Sequence, residues 1–311
     1  MRITAYDNAW RKAWDDFVLA SKNGTFLFMR GYMEYHADRF TDSSLIVTGE
    51  GDRIVALLPA NRTGDTIVSH GGLTYGGFVI DTRMSGADML GVFSLLREYL
   101  SDRGVKRMIY KPVPSIYHRQ PSDEDLYALF RNDARLAVRN LSTTINLRDP
   151  IPSSRLMKRA VKRQRRYGIK VDEVEVADSF WSIVVEDRRV RHNVRPVHTA
   201  SELNYLKSLF PENIRFYTAT SGDKVLGGAV IYLDRGVIHL QYAACTPEGK
   251  DMYATDVIYH ELINERLAGN NYFDFGISNE DAGRYLNEGM VRHKEEFGGR
   301  SIIYDAYEVF F

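Results

Sequence analysis

One order of secondary-structure signals runs through the chain twice, and this repetition limits the folds open to it. The first half begins with an amphipathic helix near Ala9 to Ala20. A hairpin follows, in which Leu45-Ile-Val-Thr-Gly turns at Asp52-Arg into Ile54-Val-Ala-Leu-Leu-Pro. A strand over Thr66 to His70 enters the glycine-rich loop Gly71-Gly-Leu-Thr-Tyr-Gly-Gly77. Ser85, with Asp88 three residues on, marks a helix N-cap. Met89, Val92, Phe93, Leu96 and Leu100 then recur with the 3.6-residue period until Gly104 stops the run. A short strand at Arg107 to Tyr110, a helix near Asp123 to Asn132 and a strand over Ala137 to Leu147 complete the half.

The second half repeats that order. A strand at Arg215 to Ala219 turns at Ser221-Gly-Asp into Lys224 to Leu233, and Asp234-Arg-Gly turns into Val237 to Tyr242. The loop Thr246-Pro-Glu-Gly-Lys250 opens a helix with apolar positions Ala254, Val257, Ile258, Leu262, Ile263 and Leu267, stopped by Gly269-Asn270. A strand from Tyr272, a helix over Gly283 to Phe297 and a strand over Ser301 to Val309 follow. Letter-by-letter identity between the halves is poor, so the duplication is one of structure. Strand–helix alternation with hairpins in front implies mixed sheets flanked by helices. A chain of 311 residues suits two lobes, taken here as 1–150 and 151–311.

Charge narrows the partners. The 41 basic and 41 acidic residues cancel, so no global field draws the chain to nucleic acid or an anionic surface, and any affinity for anions needs a local patch. One exists. A helix over 153–168, capped by Ser153 or Ser154 and ended by Gly168, opens a run with eight positive charges and no negative one between Arg155 and Lys170. Arg155, Arg159, Lys162 and Arg166 share one face, while Lys158, Arg163 and Arg165 line others. Like charges at i,i+4 cost a few tenths of a kcal/mol per pair, so something compensates. The acids Asp172, Glu173, Glu175 and Asp178 are the nearest source. An anionic ligand held by Arg163 and Arg166 is the other.

The opening MRITAYDNAWRKAW has no apolar core of a signal peptide, and no stretch has the apolar length of a membrane span. A cytosolic chain without membrane insertion is expected. Cys245 is the single cysteine, and the eight histidines show no HExxH spacing, so neither a disulfide nor a metal is expected.

Tyr272-Phe-Asp-Phe-Gly-Ile-Ser278, followed by Leu286-Asn-Glu-Gly-Met-Val-Arg-His-Lys-Glu-Glu-Phe-Gly-Gly-Arg300, resembles the end of a FemAB-like acyltransferase. Asn193-Val-Arg-Pro-Val-His-Thr-Ala-Ser-Glu-Leu203 and His70-Gly-Gly-Leu-Thr-Tyr-Gly-Gly77 are similar to the same branch of the N-acetyltransferase (GNAT) superfamily. The resemblance implies an α/β protein with a tandem duplicated GNAT-like fold. It implies transfer of an acyl or aminoacyl group to the amine of a small-molecule or nucleotide-linked acceptor, such as a cell-envelope or sugar-nucleotide precursor. No cofactor is permanently bound on this reading; acyl-CoA or aminoacyl-tRNA is the co-substrate, with tRNA then a partner.

By the same resemblance Asn287 faces the acyl donor, and Lys294 stands where related enzymes have the tyrosine that protonates the leaving group. His239 and Tyr242 lie on the central strand, three apart, so in a regular strand they point to opposite faces and one of them faces the cleft. Backbone N–H groups around Gln241 to Ala244 are the oxyanion donors, and Asp274 is a candidate base or cap. His198, Tyr75 and Gly76 are candidate substrate contacts. Gly249 is the remaining glycine of a phosphate-binding loop, Thr246-Pro-Glu-Gly-Lys-Asp251, that lacks the family's leading cation and last small residue. Two further readings stay open: an acetyl-CoA-dependent N-acetyltransferase, and a non-catalytic RNA-binding module built on the basic helix.

Overall fold

The computed structural model describes residues 1–311, apart from the side chains of Arg165, Arg191 and His192. The part of Arg165 in the basic face therefore lies outside the described residues. The chain folds as two compact units. The first comprises Met1–Asn140, Asp281–Tyr285 and Ile303–Phe311; the second comprises Leu141–Glu280 and Leu286–Ile302. Relative to a cut at 150/151, residues 141–150 belong to the second unit, and Asp281–Tyr285 and Ile303–Phe311 belong to the first.

In the first unit, β1 (Arg2–Ala5), α1 (Arg11–Ala20), α2 (Arg30–Met33), β2 (Leu45–Thr48) and β3 (Ile54–Leu58) come first. They are followed by β4 (Asn61–Thr63), β5 (Thr66–Val68), β6 (Val79–Ile80), α3 (Gly86–Ser101), β7 (Arg107–Tyr110) and α4 (Glu124–Arg131). One antiparallel sheet runs β1-β2-β3-β6; β5 pairs with β4 antiparallel and with β7 parallel. The Ser85–Asp88 capping box starts α3, whose Met89, Val92, Phe93, Leu96 and Leu100 are buried against Leu45, Val47, Ala56 and Leu58. The periodic positions thus form the core of this unit. The glycine loop is packed tightly: a Cβ on Gly76 would stand 1.5 Å from the Ser69 carbonyl oxygen, so only glycine fits.

The strand β8 (Arg135–Asn146) leaves the first unit and enters the second at Leu141. There follow α5 (Arg155–Tyr167), β9 (Ile169–Val174), α6 (Asp178–His192), α7 (Ala200–Leu209), β10 (Ile214–Ser221), β11 (Lys224–Asp234) and β12 (Val237–Cys245). Then come α8 (Pro247–Asp251), α9 (Ala254–Glu261), β13 (Tyr272–Ile277), the short β14 (Asn279–Glu280) and β15 (Tyr285–Leu286), α10 (Glu288–Glu295) and β16 (Arg300–Phe310). The sheet of the second unit runs β8-β13-β12-β11-β10-β9, antiparallel except where β12 meets β13.

Helices cover both faces of this sheet. On one, Met157 and Ala160 of α5 and Ala254, Val257 and Ile258 of α9 pack with Ile231, Ile238 and Phe273. On the other, Phe180 of α6 lies against Phe216, and a Cβ on Gly228 would stand 2.3 Å from the Phe180 ring, so this glycine lets α6 approach β11. The helix expected from Gly283 begins instead at Glu288. Ala282 and Gly283 have φ of 49° and 88°, and that left-handed backbone interrupts a helix.

The basic helix has the caps expected of it: Ser154 Oγ accepts from Met157 N, and Gly168 ends it at φ 62°. Its charge is not compensated as expected. Glu173 faces Arg215, Glu175 pairs with Lys207 at 3.1 Å, and Asp178 accepts from Asn204. The reason is topological: β9 pairs with β10, which sets Glu173 beside Arg215, while Glu175 follows the strand and Asp178 opens α6. No helix is long and apolar enough to cross a membrane among the described residues.

Candidate functional site

Three strands of the second unit meet at a histidine and an aspartate. The parallel pairing of β12 with β13 lasts only from Val237 to His239, opposite Tyr272 to Asp274. Beyond that point the strands part, and among the described residues the β13 side of β12 from Leu240 to Cys245 has no strand partner. This open edge includes Gln241 to Ala244. At its vertex His239 Nδ1 lies 2.8 Å from Asp274 Oδ2. A carboxylate only accepts, so Nδ1 carries the hydrogen and Nε2 of the neutral ring is left as an acceptor. Among the described residues Nε2 makes no hydrogen bond.

Asp274 is fully buried. Its other oxygen, Oδ1, accepts from Ser142 Oγ at 2.6 Å, Thr144 Oγ1 at 3.0 Å and Gly276 N at 3.1 Å. A buried carboxylate is tolerated when its lone pairs are filled in this way. Gly276 has φ 74°, a conformation that brings its own N–H back to the carboxylate, and the β8–β13 register slips between Asp274 and Ile277. The dyad is therefore held by two strands and a kink, leaving His239 with 12% side-chain exposure.

A second register slip changes the reading of β12. Ile231 pairs with Leu240 but Val230 pairs with Tyr242, so Gln241 is an extra, bulged residue. The bulge resets the alternation, placing His239 (opposite Tyr232) and Tyr242 (opposite Val230) on the same face, where three residues of regular strand would oppose them. Tyr242 OH lies 2.8 Å from His198 Nδ1, and its ring meets Trp181 edge-on. His198 and Tyr242 are both buried, and burial raises the Tyr242 hydroxyl above its ordinary pKa. They join the loop before α7 to the bulged strand.

Lys294 is 8% exposed. Its Nζ donates to Gly276 O at 2.7 Å, Ile277 O at 3.0 Å and Ser278 Oγ at 2.8 Å, which uses all three of its hydrogens. Burial lowers its pKa to about 8, and nearby Asp274 opposes that shift. Lys294 thus fastens the backbone that follows Asp274. Asn287 caps α10, its Oδ1 accepting from Met290 N at 3.0 Å and its N–H donating to Ser278 O at 2.9 Å.

The remaining candidates lie elsewhere. Tyr75 is buried in the first unit, donating to Thr25 Oγ1, with Phe28 and Tyr117 around its ring, so it is core and not an open stacking surface. Gly76 is packed beside it. Arg163 and Arg166 sit on α5, over the sheet face opposite His239. Gly249 is pressed against the Leu226 carbonyl, 2.2 Å from where a Cβ would sit. Its N–H goes to Thr246 Oγ1, Lys250 N–H goes to Thr246 O, and Pro247 has none. Glu248, paired with Lys224, adds negative charge at the same helix start. Few donors are left there for a pyrophosphate. A cavity of about 360 Å³ on the α5–α9 side, bordered by Gln164, Lys170, His260 and Glu265 among others, is lined by none of these candidates.

Ser142, Thr144, Gly276 and Ser278 were not singled out from the sequence. Ser142 and Thr144 did carry a signal: two hydroxyls, two apart, on a strand face that also carries Asn140 and Asn146.

Residues 154–285 match the family model of the acetyltransferase (GNAT) domain. No curated protein matches the chain in sequence. Solved structures show the fold. FemX is 10% identical, with a TM-score of 0.69 over 100% of this chain and 98% of its own. A C-terminal domain named as that of a lysylphosphatidylglycerol synthetase from Agrobacterium fabrum is 13% identical, with a TM-score of 0.61 over 97% of this chain and 92% of its own. A tandem GNAT protein from the clavulanic acid biosynthesis pathway is 12% identical, with a TM-score of 0.53 over 99% and 98%. Residues 154–285 therefore match a GNAT acetyltransferase domain, and the chain as a whole has the fold of the tandem, FemAB-like GNAT proteins.

Proposed function

We propose that the protein moves an acyl group from an activated donor to an amine on the face of the second unit that carries His239. The observation that supports this most is the His239–Asp274 pair, set where β12 and β13 separate. In this reading His239 Nε2 takes a proton as the amine nitrogen bonds to the acyl carbon. N–H groups on the open edge of β12 between Leu240 and Cys245 donate to the developing oxyanion. The tetrahedral intermediate then collapses, the bond to the leaving group breaks, and the imidazolium returns its proton to that group. Asp274 holds the ring and stabilises its charged form. Lys294 and Asn287 keep the β13–α10 connection in place and touch no reacting atom.

What α8 lacks supports one choice of donor. With Pro247, Thr246 and Glu248 arranged as they are, α8 is a poor cradle for the pyrophosphate of CoA. That favours an aminoacyl ester, as carried by tRNA, over acetyl-CoA. The acceptor is an amine on a small or nucleotide-linked molecule.

The test offers acetyl-CoA, longer acyl-CoAs and a pool of aminoacyl-tRNAs, each with a panel of amines, to the wild type, His239→Gln and Asp274→Asn. Loss of a general base lowers kcat by about 10²–10⁴-fold, and both variants are expected in that range. Wild-type rates in His239→Gln would falsify the assignment. Transfer from acetyl-CoA but not from aminoacyl-tRNA would reverse the choice of donor alone.

A further inference from the structure

Six cations of α5 stand on the surface with no acid beside them. Arg155, Lys158, Arg159, Lys162, Arg163 and Arg166 are exposed, and among the described residues none joins an ion pair. Local physics disfavours such a helix. Its first turn holds no acid, although the positive end of the macrodipole favours one there. Arg155–Arg159, Lys158–Lys162, Arg159–Arg163 and Lys162–Arg166 are like-charged pairs at i,i+4. The helix persists because Met157 and Ala160 are buried and Ser154 caps it. Charge that weakens its own helix and is neutralised by nothing nearby in the chain points to a partner outside it.

We infer that α5 docks the protein on the surface of an anionic phospholipid bilayer. The stripe Arg155, Arg159, Lys162 and Arg166 lies opposite the buried Met157 and Ala160 and extends along roughly 16 Å of helix, so its charges address one plane. Lys158 flanks it on one side and Arg163 on the other, the Arg163 guanidinium lying 5.0 Å from the centre of the Tyr253 ring. Beyond Arg163, along the same edge, stand Leu156 at 65% exposure and Tyr167 at 38%. These apolar groups choose the occupant: a helix lying in a bilayer interface buries them between headgroups, whereas the phosphate backbone of RNA has no use for the exposed Leu156. Zero net charge over the whole chain makes the attraction specific to this face. This docking is independent of the acyl-transfer reading, because α5 lies over the sheet face opposite His239.

The test is co-sedimentation of the full chain with vesicles of phosphatidylcholine alone and of phosphatidylcholine with phosphatidylglycerol. Binding only to the anionic vesicles, reversed by high salt, is expected. Each basic residue near an anionic surface multiplies partitioning by roughly fivefold. Combining Arg155→Gln, Arg159→Gln and Lys162→Gln should therefore weaken binding about a hundredfold, and Leu156→Ser alone a few-fold. All four side chains are exposed, and circular dichroism verifies that the fold survives. Equal binding to neutral vesicles, unchanged binding by the triple variant, or binding to an RNA hairpin without binding to anionic vesicles would overturn the proposal.

Discussion

Lys294 carries a cation into a place where three acceptors claim it, and its titration exposes the consequence. Its folded pKa is about 8 against the ordinary 10.5, with burial as the main cause. Below pH 8 both folded and unfolded chains hold the proton, and the folded state bears the full burial cost. Between about 8 and 10.5 the folded chain releases it first, so raising the pH shifts this group's equilibrium toward folding; above 10.5 the penalty is gone. Relative to Lys294→Met, the wild type should gain about 2 kcal/mol of stability between pH 7.5 and pH 10, read from chemical denaturation at each pH. Parallel curves for the two proteins would mean that Lys294 titrates normally. The sequence marked Lys294, His239 and Asp274 but not that they share a site. Ser142 lies 132 residues from Asp274, and the partner of a residue in a parallel pair is not legible in a single strand. The shared face of His239 and Tyr242 was hidden for a related reason: no glycine or proline announces the bulge at Gln241.

At the scale of elements, patterns with a strong period were readable and those mixed with charge were not. The strand at Arg107–Tyr110 and the caps of α3 and α5 fall where turn chemistry and periodicity put them. The helix α6 was missed. Its buried Phe180, Trp181 and Val184 are followed by Glu186, Asp187, Arg188 and Arg189, which dilute the apolar stripe. What seats α6 is a glycine on another element. A Cβ at Gly228 would stand 2.3 Å from the Phe180 ring, so Gly228→Ala must push the helix from the sheet or twist the ring off its rotamer. Such overpacking typically costs about 1–3 kcal/mol, and the loss should appear in the denaturation midpoint. Gly86→Ala is the control, because nothing lies within 4 Å of its Cβ position at the start of α3 and the substitution should be neutral or slightly stabilising. Equal effects at the two positions would remove close packing as the role of Gly228.

For the molecule as a whole, repetition in the sequence announced two units, but the chain does not divide where its second cycle of elements begins. β8 starts in the first unit and contributes Leu141–Asn146 to the second; β16 starts in the second and contributes its end to the first. Each unit therefore depends on a strand that the other half of the sequence supplies, a feature that no local composition reveals. The dependence is sharpest at the dyad, because Ser142 and Thr144, two of the three donors to Asp274 Oδ1, both lie on β8. A fragment 151–311 keeps the GNAT motifs, yet it leaves Asp274 buried without those hydroxyls and exposes the β13 edge that β8 covers. An unpaired strand edge invites aggregation, and a buried charge that loses hydrogen bonds costs about 1–3 kcal/mol for each. That fragment should lack a cooperative unfolding transition, whereas 141–302, with β8's second half restored, should unfold cooperatively in a thermal melt followed by circular dichroism. If 151–311 melts as sharply as 141–302, β8 is dispensable to the second unit, and the support drawn here for Asp274 from Ser142 and Thr144 falls with it.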